Sequence, residues 1–162
     1  MDSKKKILTK LIPQAALEAL TPEAEMAVPQ GMITDGLVSI RNFPYRIGRE
    51  SRVQTVKGKI ERVERPKLND REPNNDLYLV DRGQLLNISR EHLLIETGVD
   101  GYLLKDRGSA CGTKVNGQSV GGNDSGGATI LSDGDEIVIG TADSPYRFRF
   151  VDLDCFEFIE KL

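Results

Sequence analysis

From Asp35 onward the chain alternates short runs of β-branched and aromatic residues with clusters of turn formers. The runs GLVSI (36–40) and YRIG (45–48) flank Asn42-Phe43-Pro44, and LYLV (77–80), HLLIE (92–96) and YLLKD (102–106) follow. TKV (113–115) leads into Asn116-Gly117, a pair suited to a two-residue hairpin because both positions take positive φ. ATIL (128–131), the turn SDGD, EIVIG (136–140) and YRFRFV (146–151) complete the series, the last with Tyr146, Phe148 and Phe150 on one face. Short strands at this spacing predict an all-β sandwich.

Three stretches break the rhythm. Apolar residues between Ile7 and Leu20 permit a short helix, with Pro13 in its first turn or breaking it, and TPEAEMAVPQG then reads as linker. The expected division is an extension over 1–34, a sandwich domain over 35–151 and a tail over 152–162. Residues 52–75 are long and charged and read as an insertion, in which Val53, Val56, Ile60 and Val63 permit a helical turn or two against Gly58 and the β-branched content. GGNDSGG (121–127) has four glycines in seven residues and reads as a mobile loop. In the tail, Phe156, Phe158 and Ile159 are expected to dock on the sandwich.

Composition narrows the class. A chain of 162 residues with 38% hydrophobic and 29% charged residues is that of one ordinary globular domain with tails. No apolar run is long enough to span a bilayer, and Lys10, Pro13, Gln14 and Glu18 interrupt any signal-peptide core, so the expectation is a cytoplasmic protein that does not engage a membrane. Cys111 and Cys155 match no metal or redox spacing and are expected as reduced thiols. The net charge of −3 argues against a general nucleic-acid coat. It is unevenly distributed: residues 41–67 hold nine Lys or Arg against three acids, a balance of +6. Such a segment is either a solvated basic surface or a positive field aimed at an anionic partner.

Four pieces stand in order: IGR (47–49), SREH (89–92), GSACGTKVNG (108–117) and LSDGDEIVIG (131–140). Together they resemble the forkhead-associated (FHA) family, whose members share a Gly-Arg, a Ser-x-x-His, an Asn-Gly-Thr-x-x-Asn-Gly turn region and a Gly-Asp-x-Ile-x-Ile-Gly strand. The resemblance spans about residues 35–151. It implies a β-sandwich of about eleven strands whose loops at one end bind phosphothreonine peptides, in a serine/threonine kinase signalling context. By that resemblance Arg49 and Ser89 grip the phosphate, Arg90 assists, and Ala110 and Cys111 lie on the binding surface. Gly48, His92, Gly112, Thr113 and Asn116 are then structural motif residues. The residue chemistry agrees, because a phosphothreonine carries about −1.5 to −2 charge and three strong acceptors, which suits a forked guanidinium and a short hydroxyl.

Each residue also has a plainer reading. Arg49 could be one more surface arginine, Ser89 a capping or loop serine, and Arg90 a solvated side chain. His92, the only histidine, reads as a structural residue, since no second ligand or nucleophile accompanies it. Asp135 is expected to tie down backbone donors. No nucleotide loop, carboxylate pair or Cys-His motif supports an enzyme, and no metal or cofactor is expected. Nucleic-acid binding through 41–67 lacks interleaved aromatics beyond Phe43 and Tyr45. The family usually places Thr-Asn where this chain has Ala110-Cys111, and neither replacement offers the same donors. Three readings of that pair stand open: neighbouring groups compensate, phosphopeptide binding is weak or lost and the domain acts as a phospho-independent interaction or assembly module, or Cys111 is a redox-sensitive gate.

Overall fold

The computed structural model describes residues 2–50, 53–56, 59–62, 74–154 and 159. Among these residues are thirteen β-strands: β1 (Ala15–Ala19), β2 (Leu37–Ile40), β3 (Tyr45–Arg49), β4 (Val53–Val56), β5 (Lys59–Arg62), β6 (Leu77–Leu79), β7 (Leu93–Gly98), β8 (Gly101–Asp106), β9 (Thr113–Val115), β10 (Gln118–Val120), β11 (Gly127–Leu131), β12 (Glu136–Ile139) and β13 (Arg147–Asp152). One sheet runs β10-β9-β12-β13-β1-β2 and the other β11-β8-β7-β3-β6, making an eleven-stranded sandwich, with β4-β5 as a separate hairpin. All pairings are antiparallel except β3 with β6, where Ile47 lies opposite Leu77.

Alternation in the sequence becomes burial in the fold. Phe148 and Phe150 of β13, Tyr45 and Ile47 of β3, Leu93 and Ile95 of β7, and Tyr102 and Leu104 of β8 all face the core, with residues between them more exposed. Tyr102 stacks edge-on to Phe150 at 5.0 Å between ring centroids and touches Phe43 at 5.3 Å. The Asn116-Gly117 turn takes φ of 51° and 83°, the positive values that its hairpin requires.

The N-terminal region differs from its expectation. A helix α1 occupies Asp2–Leu11 and stops two residues before Pro13, with the Arg41 guanidinium donating to the Leu11 carbonyl at 2.9 Å. Ala15–Ala19, expected as helix and placed before the domain, is instead a strand inside the six-stranded sheet, paired to β13 on one side and β2 on the other. Ala15, Ala16 and Leu17 are buried there. A second helix α2 (Pro22–Ala27) replaces part of the predicted linker. Thr21 caps it by accepting from Ala24 N, and Pro22 occupies the first turn. Residues 15–19, expected in the N-terminal extension, are thus strand β1 of the six-stranded sheet.

The insertion holds the β4-β5 hairpin rather than helical turns, in line with its Val, Thr and Ile content. Residues 63–73 lie outside the described residues. GGNDSGG forms a tight reversal with a Gly122–Ser125 bridge, and it is tied to the neighbouring loop by Asn123 N to Ala110 O and Asp124 N to Ser109 O, both 3.0 Å. In the tail, Ile159 is exposed rather than docked, while Cys155, Phe156 and Phe158 lie outside the described residues. No described helix is long and apolar enough to cross a membrane.

Candidate functional site

The loops after β3, β6 and β8 meet at one end of the sandwich, and Gly48-Arg49 is where the first of them begins. A Cβ on Gly48 would overlap the Arg90 carbonyl oxygen and lie 2.6 Å from Asn75 Nδ2. Glycine is thus required there so that the Arg90 backbone can cross β3, and Asn75 Nδ2 donates to the same carbonyl at 2.7 Å. The crossing fixes Arg49. Its backbone N–H donates to Ser89 O at 2.9 Å and its Nε to Ile88 O at 2.8 Å. Among the described residues the two terminal Nη groups have no protein acceptor, so a half-buried guanidinium is held by one nitrogen with its fork left over.

Ser89 is oriented from both ends. Its backbone N–H donates to His92 Nδ1 at 3.0 Å, and its Oγ accepts from Ala110 N at 3.0 Å. With that acceptance made, the hydroxyl proton has no acceptor among the described residues and is available to an anion.

His92 is fully buried. Because Nδ1 accepts, Nε2 carries the proton and donates to Gly112 O at 2.8 Å, which makes the ring a neutral brace between the β6–β7 and β8–β9 loops. Burial holds its pKa below the ordinary histidine value; the Gly112 carbonyl and the charges of Asp106 and Asp81 pull the other way but do not prevail.

The β8–β9 loop is organised by Asp106. Its Oδ1 accepts from Gly108 N at 2.9 Å and Ser109 N at 2.8 Å, and its Oδ2 from Ser109 Oγ at 2.6 Å and Thr113 Oγ1 at 2.8 Å. Ser109 Oγ in turn accepts from Gly112 N at 3.0 Å. Gly112 has φ of 86°, which favours glycine at this bend. The loop presents Ala110, exposed, and Cys111, half-buried, with the Cys111 thiol 3.4 Å from Leu86 O.

Of the residues singled out from sequence, Gly48, Arg49, Ser89, His92, Ala110, Cys111, Gly112 and Thr113 are linked through these contacts. Arg90 joins by its backbone, while its exposed guanidinium has no partner among the described residues. Asn116 is not among them: in the β9–β10 turn it donates to Asp135 Oδ1 and accepts from Glu136 N, both at 2.9 Å. Asp135 also accepts from Ser132 N at 2.8 Å.

Sequence reasoning missed three supports. Asp106 and Ser109 lie three apart, the spacing of a side chain folding back on its own loop, and that signal was available. Asn75 is clamped by Arg107 Nη1 at 2.6 Å, from a residue far along the chain, so spacing carries no trace of it. Arg107 also reaches Asn74 O and, at 3.7 Å, Glu91; burial lowers its pKa despite Glu91. Asp81 closes the β6–β7 loop, accepting from Gly83 N, Asn87 N, Ile88 N and the Tyr146 hydroxyl. Among the described residues no group of three or more His, Cys, Asp or Glu is arranged to hold a metal ion.

Comparison with known proteins shows the family. Rad53 residues 1–466, solved in complex with AMP-PNP, shares the fold at a TM-score of 0.50 and 21% identity, over 86% of this chain and 30% of that one. Mycobacterium tuberculosis EmbR, solved in complex with a low affinity phosphopeptide, matches at 0.48 and 20%, over 93% of this chain and 29% of that one. The FHA domain of CT664 from Chlamydia trachomatis matches at 0.47 and 19%, over 85% of this chain and 96% of that one. This chain spans under a third of the EmbR chain. No curated protein matches it. The sequence model of the FHA domain matches residues 45–140, more than half of the chain and all of the loops just described. The chain belongs to the FHA domain family.

Proposed function

We propose that this chain is a phosphothreonine-dependent protein-interaction module, with Arg49 and Ser89 as the phosphate ligands and Arg90 as an assisting cation. The observation that carries the reading is the Arg49 guanidinium, anchored by Nε to Ile88 O with no acceptor for either Nη group among the described residues, next to a serine whose hydroxyl accepts from Ala110 N and has no acceptor for its proton among those residues. A doubly charged phosphate supplies acceptors for both. A phosphothreonine partner places a serine/threonine kinase upstream.

A peptide-library pull-down with phosphothreonine, phosphoserine and unphosphorylated forms tests it. Phosphothreonine peptides are expected to bind best, and Arg49→Ala to lose tenfold or more, since a charge-assisted hydrogen bond contributes about 1.5–3 kcal/mol. Equal binding by Arg49→Ala would remove the assignment. Ala110-Cys111 favours a second reading, a phospho-independent interaction domain, because the pair lacks the side-chain donors usual in the family. That reading predicts peptide capture indifferent to phosphate. Turnover of a phosphopeptide would contradict both.

A further inference from the structure

The sandwich has four sheet edges, β2 and β10 in one sheet and β6 and β11 in the other. Three of them offer little to a further strand. Beside β6, Val80 N donates to Ala27 O at 2.9 Å, which sets α2 against that edge. On β2, Gly36 O accepts from Ala19 N, so the even-numbered residues bond β1 while Leu37 and Ser39 turn outward. Thr34 then takes both backbone groups of Leu37, at 2.9 and 3.0 Å. On the three-residue β10 the hairpin bonds Gln118 to Val115 and turns Ser119 alone outward. Edges are blunted in such ways because an open row of N–H and C=O groups pairs with whatever strand it meets.

β11 is not blunted. Arg107 N donates to His92 O at 2.8 Å, which marks the odd-numbered residues along β8 as bonded to β7 and the even-numbered ones as bonded to β11. Opposite Asp106, Leu104 and Tyr102 stand Gly127, Thr129 and Leu131, whose backbone groups are used there. Ala128 and Ile130 therefore turn their N–H and C=O groups away from β8, and these groups have no protein partner among the described residues. Both side chains are exposed, Ile130 by 72%. The strand GATIL holds no charge and no proline. Lys105, opposite Ala128, bridges to Glu96 on β7 at 2.7 Å and so turns away from the edge.

We propose that β11 is a self-association edge, through which a second copy of this chain pairs antiparallel and joins the two five-stranded sheets into one. A twofold axis brings every residue near it against itself, so a charged strand would be repelled there and the uncharged β11 is not. Set antiparallel about Thr129, Ala128 of each copy lies opposite Ile130 of the other. These are the residues whose backbone groups are unused, and all of them close into hydrogen bonds across the axis. Each large Ile130 side chain meets a small Ala128, continuing the row that Leu103 begins on β8. One strand a side is a small interface, so association is expected in the micromolar range or weaker. β11 starts at the recognition end, where Asn123 N donates to Ala110 O, so the antiparallel pair points its two recognition ends in opposite directions. On the phosphothreonine reading above, the dimer then joins two separate partners; the pairing itself does not depend on that reading.

The test is sedimentation of the full chain from micromolar to millimolar concentration, with folding of each variant checked by thermal melting. The parent is expected to show a monomer–dimer equilibrium that Ile130→Lys weakens about tenfold or more. Ala128→Pro removes an outward N–H and no ladder bond, and is expected to weaken it as well; should that variant not fold, Ile130→Lys decides. Oxidative cross-linking reads the register. Thr129→Cys is expected to form a disulfide dimer above the level of the parent, whose own cysteines set the baseline, and Ile130→Cys is not, because its two copies stand more than about 7 Å apart. A parent that stays monomeric throughout, or a dimer undiminished in the folded variants, overturns the proposal. A dimer lost in Arg49→Ala but kept in Ile130→Lys overturns it in favour of pairing through the recognition loops. Cross-linking by Ile130→Cys in place of Thr129→Cys overturns the antiparallel pairing about Thr129.

Discussion

Within the ten residues 108–117 two halves follow different rules. Ser109, Gly112 and Thr113 are buried and bound to Asp106 or to one another, with His92 bracing Gly112 from the facing loop. Between them Ala110 is exposed and contributes its backbone N–H and carbonyl, while Cys111 is half-buried and turns its thiol to Leu86 O. The buried half keeps the loop's shape, and a buried donor left unpaired there costs about 1–3 kcal/mol. On the proposed reading the outer half meets the partner, where side chains can change without disturbing the fold, so a phosphate-facing frame can be kept while the peptide-facing chemistry shifts.

The largest expected effect breaks the frame. Asp106→Ala strands Gly108 N, Ser109 N, Ser109 Oγ and Thr113 Oγ1 at once, and is expected to lower stability by at least about 3 kcal/mol in urea titrations. Gly48→Ala comes next, because its methyl overlaps the Arg90 carbonyl; overpacking of about 1–3 kcal/mol and a parallel loss of phosphopeptide binding are expected.

His92 adds a pH dependence. Its folded pKa lies below the unfolded value of about 6.5, so the folded state binds fewer protons than the unfolded one once pH drops under that value. Stability is fully present above about pH 6.5 and falls as pH decreases toward the folded pKa, by at most about 1.4 kcal/mol per pH unit. Denaturant midpoints between pH 7 and 5.5 are expected to slope in the parent and to flatten in His92→Asn.

Smaller effects belong to the exposed half. Cys111→Ser is expected to change stability by no more than about 0.5 kcal/mol. Ala110→Thr with Cys111→Asn is expected to tighten phosphopeptide binding, as seen by calorimetry; equal or weaker binding would show that the pair is not where affinity was given up.

Much of the sandwich was legible because its strands alternate. Tyr146, Phe148 and Phe150 declare a buried face, and Asn116-Gly117 declares a hairpin, from local chemistry alone. Ala15–Ala19 was not legible, since AALEA is built from good helix formers and is a strand only because β13 and β2 flank it. The same division holds at the site. Arg49 and Ser89 sit in short motifs, whereas Asn75 and Arg107 act across 32 positions.

Arg49 is the residue on which the proposed phosphate recognition depends most directly. Calorimetric titration of one selected peptide, in phosphothreonine and unphosphorylated forms, against the parent and Arg49→Ala isolates its part. A phosphate-dependent gain in the parent that shrinks tenfold or more in Arg49→Ala is the predicted result; a gain that is the same in both proteins, or missing from the parent, would contradict it.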